Sequence, residues 1–253
     1  MGIYAMTGGA TGIGAAIKRQ LLEAGNTVIV VDIKDADIIA DLSTADGRAA
    51  AIAGIRERAP EGLDGFVPCA GVGPHLQPSL VARINYFGSV ELVAALKETL
   101  AKKRGAVVMI SSNSAPMGSD DEMVEAMLEG DEEKAAARAD EVGVGQSAYG
   151  GAKLALARWM RRNTPAYAAD GVRMNAVAPG HTETPMTETI ESDEQYGEVI
   201  KQFAATIPVG RSGRPEDIAN MVSFLLSDQA AFVAGSVVFV DGGHDAMLRA
   251  DQF

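Results

Sequence analysis

Cysteine is all but missing from this chain of 253 residues: Cys69 is the only one. An intramolecular disulfide is therefore impossible, and the cystine framework of a small secreted domain is excluded. Histidine is scarce as well. His75, His181 and His244 are the only three, and no two share the spacing of a metal-ligand pair. Positive charge is in deficit, with 22 Lys and Arg against 34 Asp and Glu and a formal net charge of −12. A concentrated basic face of the kind that meets nucleic-acid phosphates is not expected. No apolar run approaches the length of a membrane span, and the N-terminal "IYAMTGG" reads as a strand and its turn rather than a signal peptide. The expectation is a soluble cytoplasmic protein that binds neither nucleic acid nor membrane.

What is present is enough apolar sequence for a real core, 47% of the chain against 22% charged. Short apolar runs alternate with longer amphipathic stretches, the pattern of a parallel sheet covered by helices. Strands are predicted at 3–6, 27–32, 37–40, 65–68, 106–111, 172–178 and 236–240. Most are nearly continuous apolar residues, as strands buried on both faces should be. Helices are predicted at 12–24, 44–59, 85–101, 147–169 and 215–227. The predicted class is α/β: one doubly wound Rossmann domain over residues 1–253, with a seven-stranded parallel sheet flanked by helices. Between the second and third strands only "IKDA" intervenes, too short for a crossover helix. A polar segment, 113–148, has an acidic, helical middle whose charge is read as a solvated helix face.

The stretch "TGGATGIG" (7–14) follows the first strand and opens a helix. Gly8, Gly12 and Gly14 allow a sharp turn, close approach of backbone to a pyrophosphate and tight helix–sheet packing. The helix start then offers unpaired N–H groups to the anion. Asp32 ends the next strand 18 residues after Gly14, where a carboxylate can take the ribose hydroxyls of an adenosine. A carboxylate there repels a 2′-phosphate, which favours NAD, while Lys34 is the nearby cation that would suit NADP.

Tyr149 stands four residues before Lys153 in "YGGAK", and residues so spaced share a helix face. On its own the pair is weak, because short motifs recur by chance. If it is a site, an ammonium ~4 Å from the phenol at an effective dielectric of ~20 is worth up to about 4 kcal/mol. That would draw a phenol from about 10 towards neutral pH, where a general acid/base works best.

Together these segments resemble the short-chain dehydrogenases/reductases. "TGGATGIG", "CAG" (69–71), "NYFG" (85–88), "ISS" (110–112), "YGGAK" (149–153), "APG" (178–180) and "VDGG" (240–243) occur in that family's order, and the similarity covers essentially the whole chain. The absent helix after Asp32, "ADLSTADGR" (40–48), the long segment before Tyr149 and the ending "ADQF" most resemble the bacterial branch of 3α-hydroxysteroid dehydrogenases/carbonyl reductases. One departure is "PCAG", where Pro68 and Cys69 replace two asparagines usual in the family. Since proline cannot donate to a sheet ladder, Pro68 should sit at the very end of its strand.

The resemblance implies roles. Tyr149 would exchange the proton of the alcohol, Lys153 would lower its pKa and hold the nicotinamide ribose, and Ser112 would hold the substrate oxygen. Asn85 falls at the asparagine that organises a water relay behind the lysine. The cofactor set would comprise Gly8, Thr11, Gly12, Ile13 and Gly14 with Asp32, and Asp41 at the adenine. Ala70, Gly71, Pro179, Gly180, Thr182 and Thr184 would complete it, Thr184 bonding the nicotinamide carboxamide. Ser111 and Ser114 read as strand-end hydroxyls and Cys69 as a small buried hydrophobe.

The substrate is expected between 113–148 and 181–203, the second segment acting as a lid. Met117, Pro185, Met186 and Ile190 would suit a hydrophobic secondary alcohol or ketone, a steroid or a smaller one. The family implies a homo-oligomer, dimer or tetramer, though 113–148 enters beside a helix commonly used as an interface. Two other functions stay open: a non-catalytic NAD-binding regulator, and a family member catalysing isomerisation or elimination. The intact Ser112, Tyr149 and Lys153 weigh against the regulator.

Overall fold

The computed structural model describes residues 1–192 and 197–252. Strand β1 (Ile3–Thr7) leads through α1 (Gly12–Glu23) into β2 (Thr27–Asp32), and β3 (Ile38–Ile39) follows with no helix between them. Helix α2 (Ala45–Arg58) returns the chain to β4 (Gly65–Pro68). Next come α3 (Pro78–Ala82), a π-helical turn at Arg83–Phe87, α4 (Gly88–Ala95), α5 (Lys97–Ala101) and β5 (Ala106–Ile110). After α6 (Asp121–Glu129) and α7 (Glu132–Val142), the long α8 (Gly145–Ala169) feeds β6 (Arg173–Pro179). Helices α9 (Pro185–Glu191), α10 (Gly197–Ala205) and α11 (Pro215–Leu226), then β7 (Val237–Val240) and α12 (His244–Leu248), end the chain.

The seven strands form one parallel sheet in the order β3-β2-β1-β4-β5-β6-β7. The direction of winding reverses between β1 and β4, so the loops after them diverge and leave a crevice. Thr7 and Pro68 pair in register at its edge. Pro68 is the last residue of β4, as its missing N–H requires. Successive residues serve opposite cores: Ala5, Phe66, Val107 and Met109 pack on one face, Met6, Val67, Val108 and Ile110 on the other.

Two elements differ from the sequence expectation. The helix expected at 85–101 begins at Pro78, whose fixed φ suits a first turn, and is broken into four pieces by the π turn and a bend at Leu96. The acidic helical middle of 113–148 is not one helix but a hairpin of two. Asp120 and Asp131 accept the N–H groups of Met123 and Lys134 at 2.8 and 3.0 Å, capping α6 and α7. Gly130 and Gly143 end those helices in the left-handed region, with φ of 80° and 66°. The apolar side of α6 packs on α8, where Gly151 leaves room for the Met123 methyl. Among the described residues no helix is long and apolar enough to cross a membrane, and no cluster of His, Cys, Asp and Glu could hold a metal.

One buried cation ties the hairpin to the sheet. Arg48 of α2 is 2% exposed. Its Nε donates to Glu91 at 2.6 Å, its Nη1 to the Leu42 carbonyl at 3.2 Å and its Nη2 to Glu132 of α7. Glu132 also accepts from Arg83 at 2.6 Å. Removing Glu132 takes one charged partner from the buried Arg48 and leaves Glu91, a loss of about 2 kcal/mol. Glu132→Ala is expected to lower the urea midpoint accordingly, and Glu132→Gln, which keeps a hydrogen bond, by clearly less.

Candidate active site

The crevice at the carboxyl ends of β1 and β4 opens into a cavity of about 450 Å³, within the range of small-molecule sites. The turn after β1 forms its floor. Gly8 has φ +74°, and a Cβ there would stand 2.7 Å from the Ala70 Cα; one on Gly14 would strike the Gly8 carbonyl. Only glycine permits both approaches. The Ala70 N–H donates to Thr7 Oγ1 at 3.0 Å, which locks the turn after β4 onto the turn after β1.

Helix α1 starts here without a side-chain cap on Thr11 and without an acid in its first turn. Its N-terminal N–H groups and partial positive charge face the cavity walls formed by Gly12 and Ile13, as an anion site needs. Asp32 Oδ2 accepts the N–H groups of Gly9 and Ala10 at 3.1 and 3.3 Å, and Oδ1 that of Ile33 at 2.8 Å. The carboxylate braces the glycine turn and still has acceptor capacity for a ligand hydroxyl. Asp41, two residues beyond β3, accepts from the Ser43 hydroxyl at 2.7 Å and its N–H at 2.9 Å. Those bonds hold its carboxyl below the usual range.

At the other end lie Ser112, Tyr149 and Lys153. Lys153 is 5% exposed; its Nζ donates to the Ile110 carbonyl at 2.8 Å and lies 5.8 Å from the Tyr149 ring centre. The Ser111 hydroxyl donates to the Lys153 carbonyl at 3.0 Å, pinning α8 to the end of β5. Gly71, Pro179 and Gly180 line the wall between the two ends, with Thr182 and Thr184 on the side of α9. The Thr184 hydroxyl caps α9 by accepting the Thr187 N–H at 3.3 Å, and Thr182 Oγ1 donates to the Gly180 carbonyl at 3.0 Å.

Two expectations need correction. The phenol of Tyr149 is not drawn down by Lys153: burial pushes it up, with the Ser112 hydrogen bond pulling the other way. The ammonium is engaged by Ile110 instead, and burial lowers its own pKa to about 8. Second, no residue of 113–148 lines the cavity, because that segment turns outward into α6 and α7; Met117 is 45% exposed. Of the apolar wall expected from 181–203, Pro185 and Met186 line the cavity and Ile190 does not; 193–196 fall outside the described residues. Asn85 stands behind the wall. It is fully buried in the π turn, its Oδ1 accepting the Val72 N–H at 2.8 Å and its Nδ2 donating to the Val72 carbonyl at 3.0 Å.

Cys69 lines the cavity as an inert thiol, burial pushing it up to about 11 against the pull of Lys153. Sequence reading missed Val72, Ile84 and Leu42 in the wall. They carry no signal beyond being apolar and near a motif.

The buried ammonium has a measurable consequence. Between pH 8 and 10.5 the unfolded chain holds a proton on Lys153 that the folded protein has lost, so stability rises with pH across that window. Relative to Lys153→Met, the wild type is expected to gain up to about 3 kcal/mol from pH 8 to 10.5, read by urea denaturation at several pH values.

Comparison with known proteins agrees with this geometry. Residues 3–124 match a family model described as short chain dehydrogenase, and residues 134–245 one described as Enoyl-(Acyl carrier protein) reductase. The chain is 42% identical, over all of both chains, to 3-alpha-hydroxysteroid dehydrogenase/carbonyl reductase of Comamonas testosteroni. It is 31% identical to cis-4-hydroxycyclohexanecarboxylate dehydrogenase of Sinomonas cyclohexanicum, over 97% of each chain. The 3-alpha-hydroxysteroid dehydrogenase from Pseudomonas sp. B-0831, crystallised with NADH, superposes with a TM-score of 0.96 at 45% identity, covering 99% of this chain and 100% of that one.

Proposed function

The chain belongs to the short-chain dehydrogenase/reductase family, and from that premise we propose that it is an NAD-dependent oxidoreductase interconverting a hydrophobic secondary alcohol and its ketone, 3α-hydroxysteroids included. The observation that carries this reading is one cavity with an uncapped helix start and Asp32 at one end and Ser112, Tyr149 and Lys153 at the other. The relatives' steroid and cyclic-alcohol substrates and the neighbour's NADH support it.

The residues present fit NAD. The N–H groups at Gly12–Ile13 suit the pyrophosphate, Asp32 the adenosine ribose, and Asp41 with Leu42 the wall at the adenine. Lys153 donates to one protein acceptor among the described residues, which leaves two N–H bonds of the ammonium for the hydroxyls of the nicotinamide ribose. The chemistry that NAD supplies when bound is acceptance of a hydride from the carbinol carbon, or its return to the ketone from the reduced form. Ser112 holds the substrate oxygen, and its hydrogen bond strengthens as charge grows there. Tyr149 takes the hydroxyl proton at its phenolic oxygen during oxidation and gives it back during reduction. A phenol raised by burial is protonated at neutral pH, the form that reduction needs; the Ser112 hydrogen bond pulls the other way and favours the phenolate that oxidation needs. Asn85 acts from behind by fixing the Val72 peptide.

The test is the absorbance of reduced nicotinamide with NAD or NADP and a panel of secondary alcohols. Turnover with NAD and a 3α-hydroxysteroid is expected, reduced by a factor of about 10²–10⁴ in Tyr149→Phe. Turnover confined to small cyclic alcohols would discard the steroid part. Tight NAD binding without turnover would favour the non-catalytic reading.

We also place the protein in the cytoplasm, where its lone thiol stays reduced, as a homo-oligomer. The outer side of α8 is occupied by α6, which disfavours that helix as an interface. The opposite edge of the sheet is open: β7 is only partly buried and Phe232 is fully exposed beside it. A dimer formed at that edge is expected to give a light-scattering mass of two chains; a mass of one chain would refute it.

A further inference from the structure

We propose that Ser114 is a positioning residue for proton transfer: its hydroxyl fixes Ser112 as a hydrogen-bond donor towards Tyr149 and the substrate oxygen. The inference rests on the assignment of Ser112 and Tyr149 as the reacting pair.

A serine hydroxyl has one proton and two lone pairs. Ser112 Oγ accepts the Ser114 N–H at 3.1 Å and the Ser114 Oγ–H at 2.9 Å. Both residues are 8% exposed, so water competes little for either atom. With both lone pairs engaged, the Ser112 proton is its one remaining hydrogen-bonding function, and Tyr149 lines the same cavity. Its single proton is then offered into the cavity, to the phenol before substrate binds and to the substrate oxygen afterwards. The chain of donors also polarises, which strengthens the last one.

Without the Ser114 hydroxyl, a lone pair on Ser112 is released. The Tyr149 phenol can donate into it, which directs its proton away from the substrate oxygen and leaves the serine proton undirected. The local fold holds Ser114 in place. The Ala115 N–H donates to the Ser112 carbonyl at 3.1 Å and the Met117 N–H to the Ser114 carbonyl at 3.0 Å, closing a tight turn. That turn lies directly on α8: a Cβ at Gly150 would stand 3.2 Å from the Ser114 carbonyl oxygen. The glycine after Tyr149 is the contact that lets the serine pair approach the phenol.

The experiment is steady-state alcohol oxidation at saturating NAD by the wild type, Ser114→Ala, Ser114→Thr, Ser112→Ala and the double alanine variant. Ser114→Ala is expected to lower kcat about tenfold, less than the ~10²–10³ that loss of a direct donor produces. The KM for NAD and the melting temperature should stay unchanged, and Ser114→Thr, which keeps the hydroxyl, should restore kcat. On the Ser112→Ala background the second substitution should have no further effect, as for residues acting through one another. Wild-type kcat in Ser114→Ala, a full loss persisting on the Ser112→Ala background, or failure of threonine to restore would each overturn the inference. An active wild type beside an indifferent Ser114→Ala removes this inference alone. A wild type that oxidises no alcohol removes the parent reading with it.

Discussion

The constraint on which this site depends is an ammonium held out of water. Lys153 is 5% exposed, and its one protein hydrogen bond among the described residues goes to the carbonyl that ends β5. Burying that charge opposes folding at neutral pH, as the lowered pKa registers. The surrounding contacts offset it by making the position rigid. Ser111 takes the Lys153 carbonyl, and Asn85 clamps Val72 behind Gly71, whose added Cβ would stand 3.8 Å from Nζ. Tyr149, one helical turn earlier, inherits its place from the same pinning of α8 to β5. The position of Tyr149 is thus set by the carboxyl end of β5 rather than by the loops around the cavity.

The helical hairpin α6–α7 extends that scaffold from outside. Its charged surface first suggests a solvated appendage, and much of it is one: Glu133 and Glu141 have side chains 82% and 70% exposed. Glu132 is different. It meets Arg48 beneath the loop that carries Asp41 and Leu42, and Arg83 in the π turn that carries Asn85. One carboxylate therefore couples the outer hairpin to the Asp41–Leu42 wall of the cavity and to the residue behind the lysine. An acidic segment that contributes no atom to the cavity still determines how firmly two of its walls are held.

The fold was largely legible because its signals are local. Continuous apolar runs place the strands within a residue or two, and the glycine turn with Asp32 fixes the switch point where the cavity opens. Spacing and order singled out Ser112, Tyr149 and Lys153, and the fold brings the three to one cavity. What stayed hidden depends on contacts between distant segments. Ser114 reads as a strand-end hydroxyl until the turn brings it to 2.9 Å from Ser112. Gly150 and Gly151 read as spacers within "YGGAK" until the turn at Ser114 and the methyl of Met123 are found against them. The direction of the Tyr149 shift was misread because spacing predicts nearness of charge but says nothing of burial, and burial is the larger effect here.

The two sides of the cavity also differ in what sequence change they can absorb. Ser112 and Lys153 are buried, the first hydrogen-bonded to the turn at Ser114 and the second to the end of β5, so substitution there disturbs packing as well as chemistry. On the far side, α9 brings Pro185 and Met186 to the cavity, yet none of its residues is buried. Its start is held by the reciprocal capping of Thr184 and Thr187. A helix anchored by its cap and not by a core face can exchange side chains at small cost in stability. Proton transfer and substrate choice are therefore physically separable in this molecule. Substitution in α9 is thus open to the chain in a way that substitution at Ser112 or Lys153 is not.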